Sequence, residues 1–475
     1  MRVGKYIYQE EGESMGFFGR KVIYTDADQV TRDNVANILA QVGADHAFNA
    51  NQISYLYDYY KGNQPILNRL KEVRPEINNM VVENRANEIV SFKVGYLMGD
   101  PVQYVSRSDE DRVSDEVRKL NEFAFYEDKA PKDKELADWF HICGTAYRMV
   151  LPRTDDDEDE SPFRIFTLDP RNAFVVYSSD VEHKPVMGVK IVNRVEGTPI
   201  FTVYTDTMRY DLIDGIVINE EPHTIGGIPI IEYPANQARL GCFEIVLPLL
   251  DSINEVTSDA VDGVGQFIQA LLVFMGMDIE DDDIRKLKDL GAIKIPKDTD
   301  VKYLVQELNQ GQTQVLQEHL YSSVLTICGI PNRNGGSSTS DTGSAVIMRD
   351  GWSAAEARAK DTEMYFKKSE KAFLRLALKI MNLRERTALK VQEVDIRFTR
   401  RNYEDIQAKT QVLTTLLASD MVHPKLAFQH CGLFVDPELA YAESMEYAKQ
   451  KQEEEEQELM RDDENGEEVT IAESV

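Results

Sequence analysis

"PNRNGGSSTSDTGSAVIMRDGWSAAEARAKD" (residues 331–361) sets two opposed textures side by side. Between Pro331 and Thr342 nearly every residue is Gly, Ser, Thr, Asn or Asp, a loop composition in which short polar side chains compete with regular backbone pairing. From Gly343 onward the pattern turns helical and predicts a rod over 343–382, about 60 Å long at 1.5 Å per residue. Gly351 falls inside that span. A glycine in a helix interior costs about 1 kcal/mol relative to alanine, so a bend is expected there.

Upstream of the loop, "QGQTQVLQEHLYSSVLTICG" reads as a helix ending at Gly329, and "CFEIVLPLLDSINEVTSDAVDGVGQFIQALL" (242–272) as a longer one with apolar residues three and four apart. The insert between them contains a strand-like "LLVFMGM", a short helix "EDDDIRKLKDLG" and two further strand patterns, "AIKIP" and "VKYLVQEL". That short helix carries acids in its first turn and lysines in its last, as the helix dipole prefers. The prediction is an arm of two helices with a small α/β knob at its tip.

Further out the texture changes. Residues 27–45, 51–72 and 74–104 read as helices, the last ended by Gly99-Asp100-Pro101. "DKELADWFHICGTAYRMVLPR" runs from helix into strand. The runs "TAYRMVLP", "FRIFTL", "AFVVYS", "VMGVKIV", "IFTVYT" and "YDLIDGIVI" then make 144–232 an antiparallel β unit. "EVDIRFTR" (393–400) is a closing strand, followed by helices in "YEDIQAKTQVLTTLLASD", "HPKLAFQHCG" and "DPELAYAESMEYAKQKQEEEEQELM". Asp436-Pro437-Glu438 is a sound helix start. Residues 450–475 carry eleven acids against two bases, so disorder is expected there. The fold class is α+β, mainly helical.

At 475 residues with 42% hydrophobic composition, the chain can build a sizeable core and two or more structural units. No run of about 18 apolar residues exists, which excludes a spanning helix. The first twenty residues lack an apolar run of signal-peptide length, and a cytoplasmic origin is expected. Cys143, Cys242, Cys328 and Cys431 stand far apart, as reduced structural thiols do. The net charge of −29 opposes any broad grip on nucleic acid, which requires clustered Lys and Arg.

Signatures of nucleotide hydrolysis, zinc proteolysis and dinucleotide binding are missing: no GxxxxGK[ST], HExxH or GxGxxG occurs. "DDDEDE" (155–160) reads as a solvated hairpin loop, because an EF-hand needs alternating acids, a central Gly and a final Glu. His423, His430 and Cys431 lie close in sequence but lack a fourth ligand, and read as a packed helical turn. No enzyme, metal or cofactor is expected.

Several segments together resemble the portal proteins of tailed bacteriophages, most like the branch in siphophages of Gram-positive hosts. They are "YYKGNQPIL" (59–67), "NNMVVENRANEIVSFKVGYLMGDPVQY" (78–104), "LDPRNAFVVY" (168–177) and the span from "LPLLDSINEV" through "GSAVIMRDGWSAAEARAKDTEMYFKKSEKAFLRLAL". The resemblance covers residues 50–450 and implies a twelvefold ring with a central channel at one capsid vertex. It implies an N-terminal part and wing over 1–245, stem helices at 246–271 and 308–330, and a clip at 272–307 between them. A tunnel loop at 331–344, a long bent helix and wing strand over 345–402, a crown at 403–450 and an acidic tail at 451–475 complete it.

The resemblance puts Asn332, Arg333, Asn334, Gly335, Gly336, Ser337, Ser338, Thr339, Ser340, Asp341 and Thr342 next to double-stranded DNA, with Arg333 the one cation in reach of phosphate. It gives the clip, including Asp281, Asp282, Asp283, Lys286 and Lys288, to the terminase large subunit during packaging and later to a head-completion adaptor. Other implied partners are the major capsid and scaffolding proteins, with no membrane; the place is the virion portal vertex after synthesis in the host cytoplasm. An acidic bore fits a conduit, since each phosphate contact deepens a trap for a moving duplex. The alternatives are a non-ring acidic adaptor or scaffold using its tail on basic partners, and a metal-dependent hydrolase using 155–160.

Overall fold

A Gly-containing tight turn shows how the β unit is built. Asp214 and Gly215 both have positive φ (51° and 77°), the two-residue reversal that suits the right-handed twist of paired strands. The run "YDLIDGIVI" is therefore two strands, β8 (Met208–Ile213) and β9 (Ile216–Pro222), rather than one. The computed structural model describes residues 19–72, 75–108, 110–153, 160–268, 271–275, 300–304, 310–332, 351–400, 406–419, 421–434 and 437–472.

Within them, β5 (Ala173–Ser178), β6 (Pro185–Val192), β7 (Ile200–Tyr204), β8 and β9 form an antiparallel meander. β1 (Ile23–Thr25) adds to its edge in parallel, pairing Ile23 with Val176. A second sheet orders β10 (Ile230–Pro234), β3 (Thr145–Pro152) and β4 (Phe163–Leu168). β2 (Gln103–Ser106) pairs antiparallel with β13 (Val394–Arg397), which closes the fold as the sequence predicts.

The helices depart more from expectation. Residues 27–45 and 51–72 give a single helix, α1 (Val35–Lys61), ended by Gly62 at φ 99°. Its core face carries His46, Asn49 and Gln52, which blur the apolar period. His46 stacks on Phe174 at 4.2 Å and bonds the Arg171 carbonyl, while Asn49 exchanges two 2.9 Å bonds with the Lys21 backbone. The helix predicted over 74–104 is only α2 (Arg85–Leu97), capped by Asn84 accepting from the Asn87 amide. α3 (Asp111–Tyr126) lies in a stretch for which the sequence suggests no element, and α4 (Lys129–Cys143) leads into β3 through Gly144.

Gly144 has φ 83°, and a Cβ there would lie 1.9 Å from the Arg239 carbonyl oxygen. Only glycine permits that approach. Around it Cys242 N–H donates to His141 O at 2.7 Å, and buried Arg20 pairs with buried Glu244. This junction sets the start of α5 (Leu247–Ile268) against the end of α4.

The rod is α7 (Trp352–Glu385). Gly351, expected as a bend within a continuous helix, instead sits at φ 85° immediately ahead of Trp352, a conformation outside the right-handed helical region; residues 343–350 lie outside the described residues. Glu370, fully buried halfway along α7, is the rod's anchor. Its carboxylate takes Lys129 Nζ at 2.8 Å, Arg148 Nη1 at 3.1 Å, and the hydroxyls of Tyr104 and Tyr233 at 2.6 Å each. Asp133 completes the cluster by pairing with Lys129 (2.6 Å) and Arg148. Two cations thus meet two anions in the core, and α4, β2, β3 and β10 are tied to α7 at one point. Burial pushes the Glu370 carboxyl up, but Lys129 and Arg148 override it and hold it well below the usual range.

α8 (Ile406–Leu417), α9 (Pro424–Cys431) and α10 (Pro437–Ala472) follow. The tail expected to be disordered continues as helix to Ala472. Its Glu, Gln, Lys and Ala are good helix formers, and too few apolar residues to form a continuous stripe deny it a core rather than a helix. His423 caps α9, its Nδ1 accepting from the Lys425 amide at 3.2 Å, while Cys431 Sγ donates to the Phe428 carbonyl.

Candidate functional site

α5 and α6 (Gln310–Cys328) form the helix pair expected from the sequence, and at their far end β11 (Leu271–Met275) pairs antiparallel with β12 (Asp300–Leu304), Leu271 opposite Leu304. The short helix with Asp281, Asp282, Asp283, Lys286 and Lys288, and the "AIKIP" strand, fall outside the described residues, as does "DDDEDE" apart from Glu160. Of the loop 332–342, the described residues include Asn332 alone.

What the structure does describe is how both ends of that loop are held. α6 stops at Gly329 (φ 67°), where Ile330 N–H reaches back to Leu325 O at 2.9 Å, a Schellman closure. Ile330 and Pro331 are buried. Gly329 sits under the Arg358 side chain of α7, since a Cβ there would lie 2.4 Å from Arg358 Cδ and require that side chain to move. Gly351 stands so close that a Cβ on it would lie 4.0 Å from Pro331 Cα. The chain therefore departs after Pro331 and returns at Gly351 to the same place.

The return point is braced. Trp352 packs on Phe92 and Tyr96 of α2, with ring centroids 6.1 and 6.0 Å away. One turn on, Glu356 accepts from Tyr96 OH at 2.9 Å and pairs with Arg400 at 3.0 Å, which also holds Glu363 at 2.7 Å.

The helix pair is seated by an unusual polar stripe. Asn254, Ser258 and Asp262, four residues apart on α5, are all essentially fully buried. They accept the alternate amides of Glu83 (2.8 Å), Val81 (3.0 Å) and Asn79 (2.8 Å). Four helical residues rise about 6.0 Å and two extended residues about 6.6 Å, so the two periods match closely enough for three consecutive bonds. This is why residues 79–83 do not continue α2: their N–H groups are taken by another helix. Asp262 also receives Asn79 Nδ2 (2.8 Å), Lys71 (2.6 Å) and Arg69 (3.2 Å). Burial raises its carboxyl, but the bonds from Lys71 and Asn79 more than reverse that, down to about 2.

Burial pushes Cys143 up to about 12 and Cys328 up to about 11, away from the thiolate form. Among the described residues, no group of three or more His, Cys, Asp or Glu is placed to hold a metal. On the outside of the pair, Val261, Val264, Val315 and Leu316 are 42–65% exposed, apolar surface that one chain leaves uncovered. No helix among the described residues is long and apolar enough to cross a membrane.

The sequence pointed to the loop and to the tip of the arm, but missed the Asn254–Ser258–Asp262 stripe and the Glu370 cluster. A polar residue at every fourth position of an otherwise apolar helix was the available signal for the first.

A helix pair with a strand pair at its tip and a loop pinned at the base of a long helix accords with the family whose model, phage portal protein of the SPP1 Gp6-like type, matches residues 39–458. The chain belongs to this phage portal protein family. A relative is the portal protein of Bacillus phage SPP1, 24% identical over 278 residues, a match covering 53% of this chain and 53% of that protein, so about half of each.

Proposed function

We propose that the chain assembles as a twelvefold ring whose bore conducts double-stranded DNA into and out of a phage capsid at one vertex. In this reading α5 and α6 are the stem and the β11–β12 tip belongs to the clip, which docks the terminase motor and then a head-completion adaptor. Residues 403–450 form the crown, and the major capsid and scaffolding proteins surround the ring. The role is not catalytic: the ring supplies geometry and a partner ATPase supplies work.

The observation that carries this reading is the closure of the loop ends at Pro331 and Gly351. A segment of small polar residues held at both ends by rigid helices is a finger, and Asn332 to Thr342 are proposed to line the narrowest part of the bore. Small side chains brush a duplex without gripping it, Arg333 touches phosphate, and the −29 charge keeps DNA from adhering elsewhere. The exposed valines of the helix pair then face neighbouring stems.

The test is deletion of 333–340. Negative-stain microscopy should still show rings with a central hole, while DNA packaging falls. Normal DNA filling by the deletion variant would overturn the finger. A monomer at every concentration and ionic strength for the intact chain would overturn the ring and favour a non-ring acidic adaptor.

A further inference from the structure

One face of α7 reverses the sign of the molecule. Lys368, Arg375 and Lys379 are exposed and spaced seven and four residues apart, so they line up along one side of the helix over about 17 Å. With Lys390 they border a groove of about 960 Å³ between α7 and the edge of the six-stranded sheet. Ile230 and Leu376 contribute apolar lining, and Tyr24 and His183, with rings 5.1 Å apart, stand on the sheet side.

None of these four cations has a carboxylate partner among the described residues; Lys379 donates to the Gly226 carbonyl at 2.5 Å. The acids of the groove are mostly spent. Glu232 is held by Arg239 at 2.6 Å and Glu182 by Lys184, which leaves Asp206. A chain of net charge −29 thus keeps a cationic slot on its body.

The same chain carries a segment with the opposite problem. After Tyr441, whose ring packs 5.7 Å from Phe428 of α9, every residue of α10 from Ala442 to Glu455 is exposed. A helix exposed along this whole stretch, with only Met445 and Tyr447 as large apolar residues, gains nothing from burial against its own body. It leads into 450–475, with eleven acids against two bases.

We propose that the groove receives the acidic segment 450–475 of a second copy of this chain. The outward run of α10 disfavours the groove of its own copy. The groove's volume, spread along the stripe, leaves width for one peptide segment and not for a duplex. Contact is made by carboxylates against Lys368, Arg375 and Lys379, with the apolar lining taking the interspersed Leu459, Met460 and Val469. Any two copies suffice, so the inference does not depend on the ring.

The experiment titrates a fluorophore-labelled peptide of residues 450–475 into the full-length chain and reads anisotropy. Binding should weaken as salt screens the contacts. The surface variant Lys368→Glu/Arg375→Glu/Lys379→Glu should bind about tenfold more weakly, from three exposed ion pairs lost. A peptide with its acids replaced by lysine should recover binding to that variant, which separates lost charge from lost fold. Equal binding of the acidic peptide by wild type and variant would overturn the proposal. Displacement of the peptide by duplex DNA at equal charge would overturn it too, in favour of a nucleic-acid groove.

Discussion

Replacing Glu370 by Gln removes one charge from the core and almost no volume. The cluster holds Lys129 and Arg148 against Asp133 and Glu370, all nearly or fully buried. In Glu370→Gln two buried cations face one anion. All four groups that contact the carboxylate, Lys129, Arg148, Tyr104 and Tyr233, point donors at it. A Gln side chain offers one oxygen to those donors and turns its own amide N–H toward the rest. Breaking a buried pair in this way costs about 3–5 kcal/mol.

The assay is chemical unfolding followed by far-UV circular dichroism, with hydrogen exchange of α7 and β3 amides to locate the loss. Adding Lys129→Met to Glu370→Gln restores one cation against one anion. The double variant should therefore be less destabilised than the sum of the singles by at least about 1 kcal/mol. A single-variant cost below about 1 kcal/mol, or strict additivity, would refute the claim that charge balance anchors the rod. Acidification acts in the same direction: a carboxylate held low contributes stability above its unfolded pKa, and that is lost as pH falls.

The amide ladder on α5 gives a second pH signature. With Asp262 held at about 2, its stabilisation of residues 79–83 is complete above about pH 4 and fades as pH falls toward 2. In Asp262→Asn, hydrogen exchange at 79–83 should be faster at neutral pH and lose that acid-dependent step; an unchanged acid profile would count against the ladder. Gly144→Ala must move backbone to relieve its approach to Arg239 O in addition to adopting a left-handed conformation. It should lose at least about 2 kcal/mol, read as a lower thermal midpoint. A wild-type midpoint would show that the junction is looser than its geometry.

Elements built from local period were legible in the residues. β3, β4 and β5 begin and end where their β-rich runs do, and α5 and α6 follow their apolar spacing. Where the reading failed, a distant group had intervened. Residues 79–83 look helical but surrender their amides to Asn254, Ser258 and Asp262, roughly 175 residues away in the chain. α1 looked like two helices because His46, Asn49 and Gln52 are polar residues whose burial depends on partners elsewhere in the chain.

By itself the sequence determined the class: a mainly helical α+β chain, strongly acidic, with a polar loop between two helices and motifs matching the portal family. Those properties are local or additive, and composition and period carry them. The tertiary structure decided that Pro331 and Gly351 meet, so that the loop closes on itself, and that Lys129, Arg148 and Glu370 converge in the core. It also decided that Lys368, Arg375 and Lys379 border a groove whose acids, Asp206 apart, are paired with other cations. Each of these joins residues far apart in the chain, and their energy depends on burial and distance, which exist only once the chain has folded.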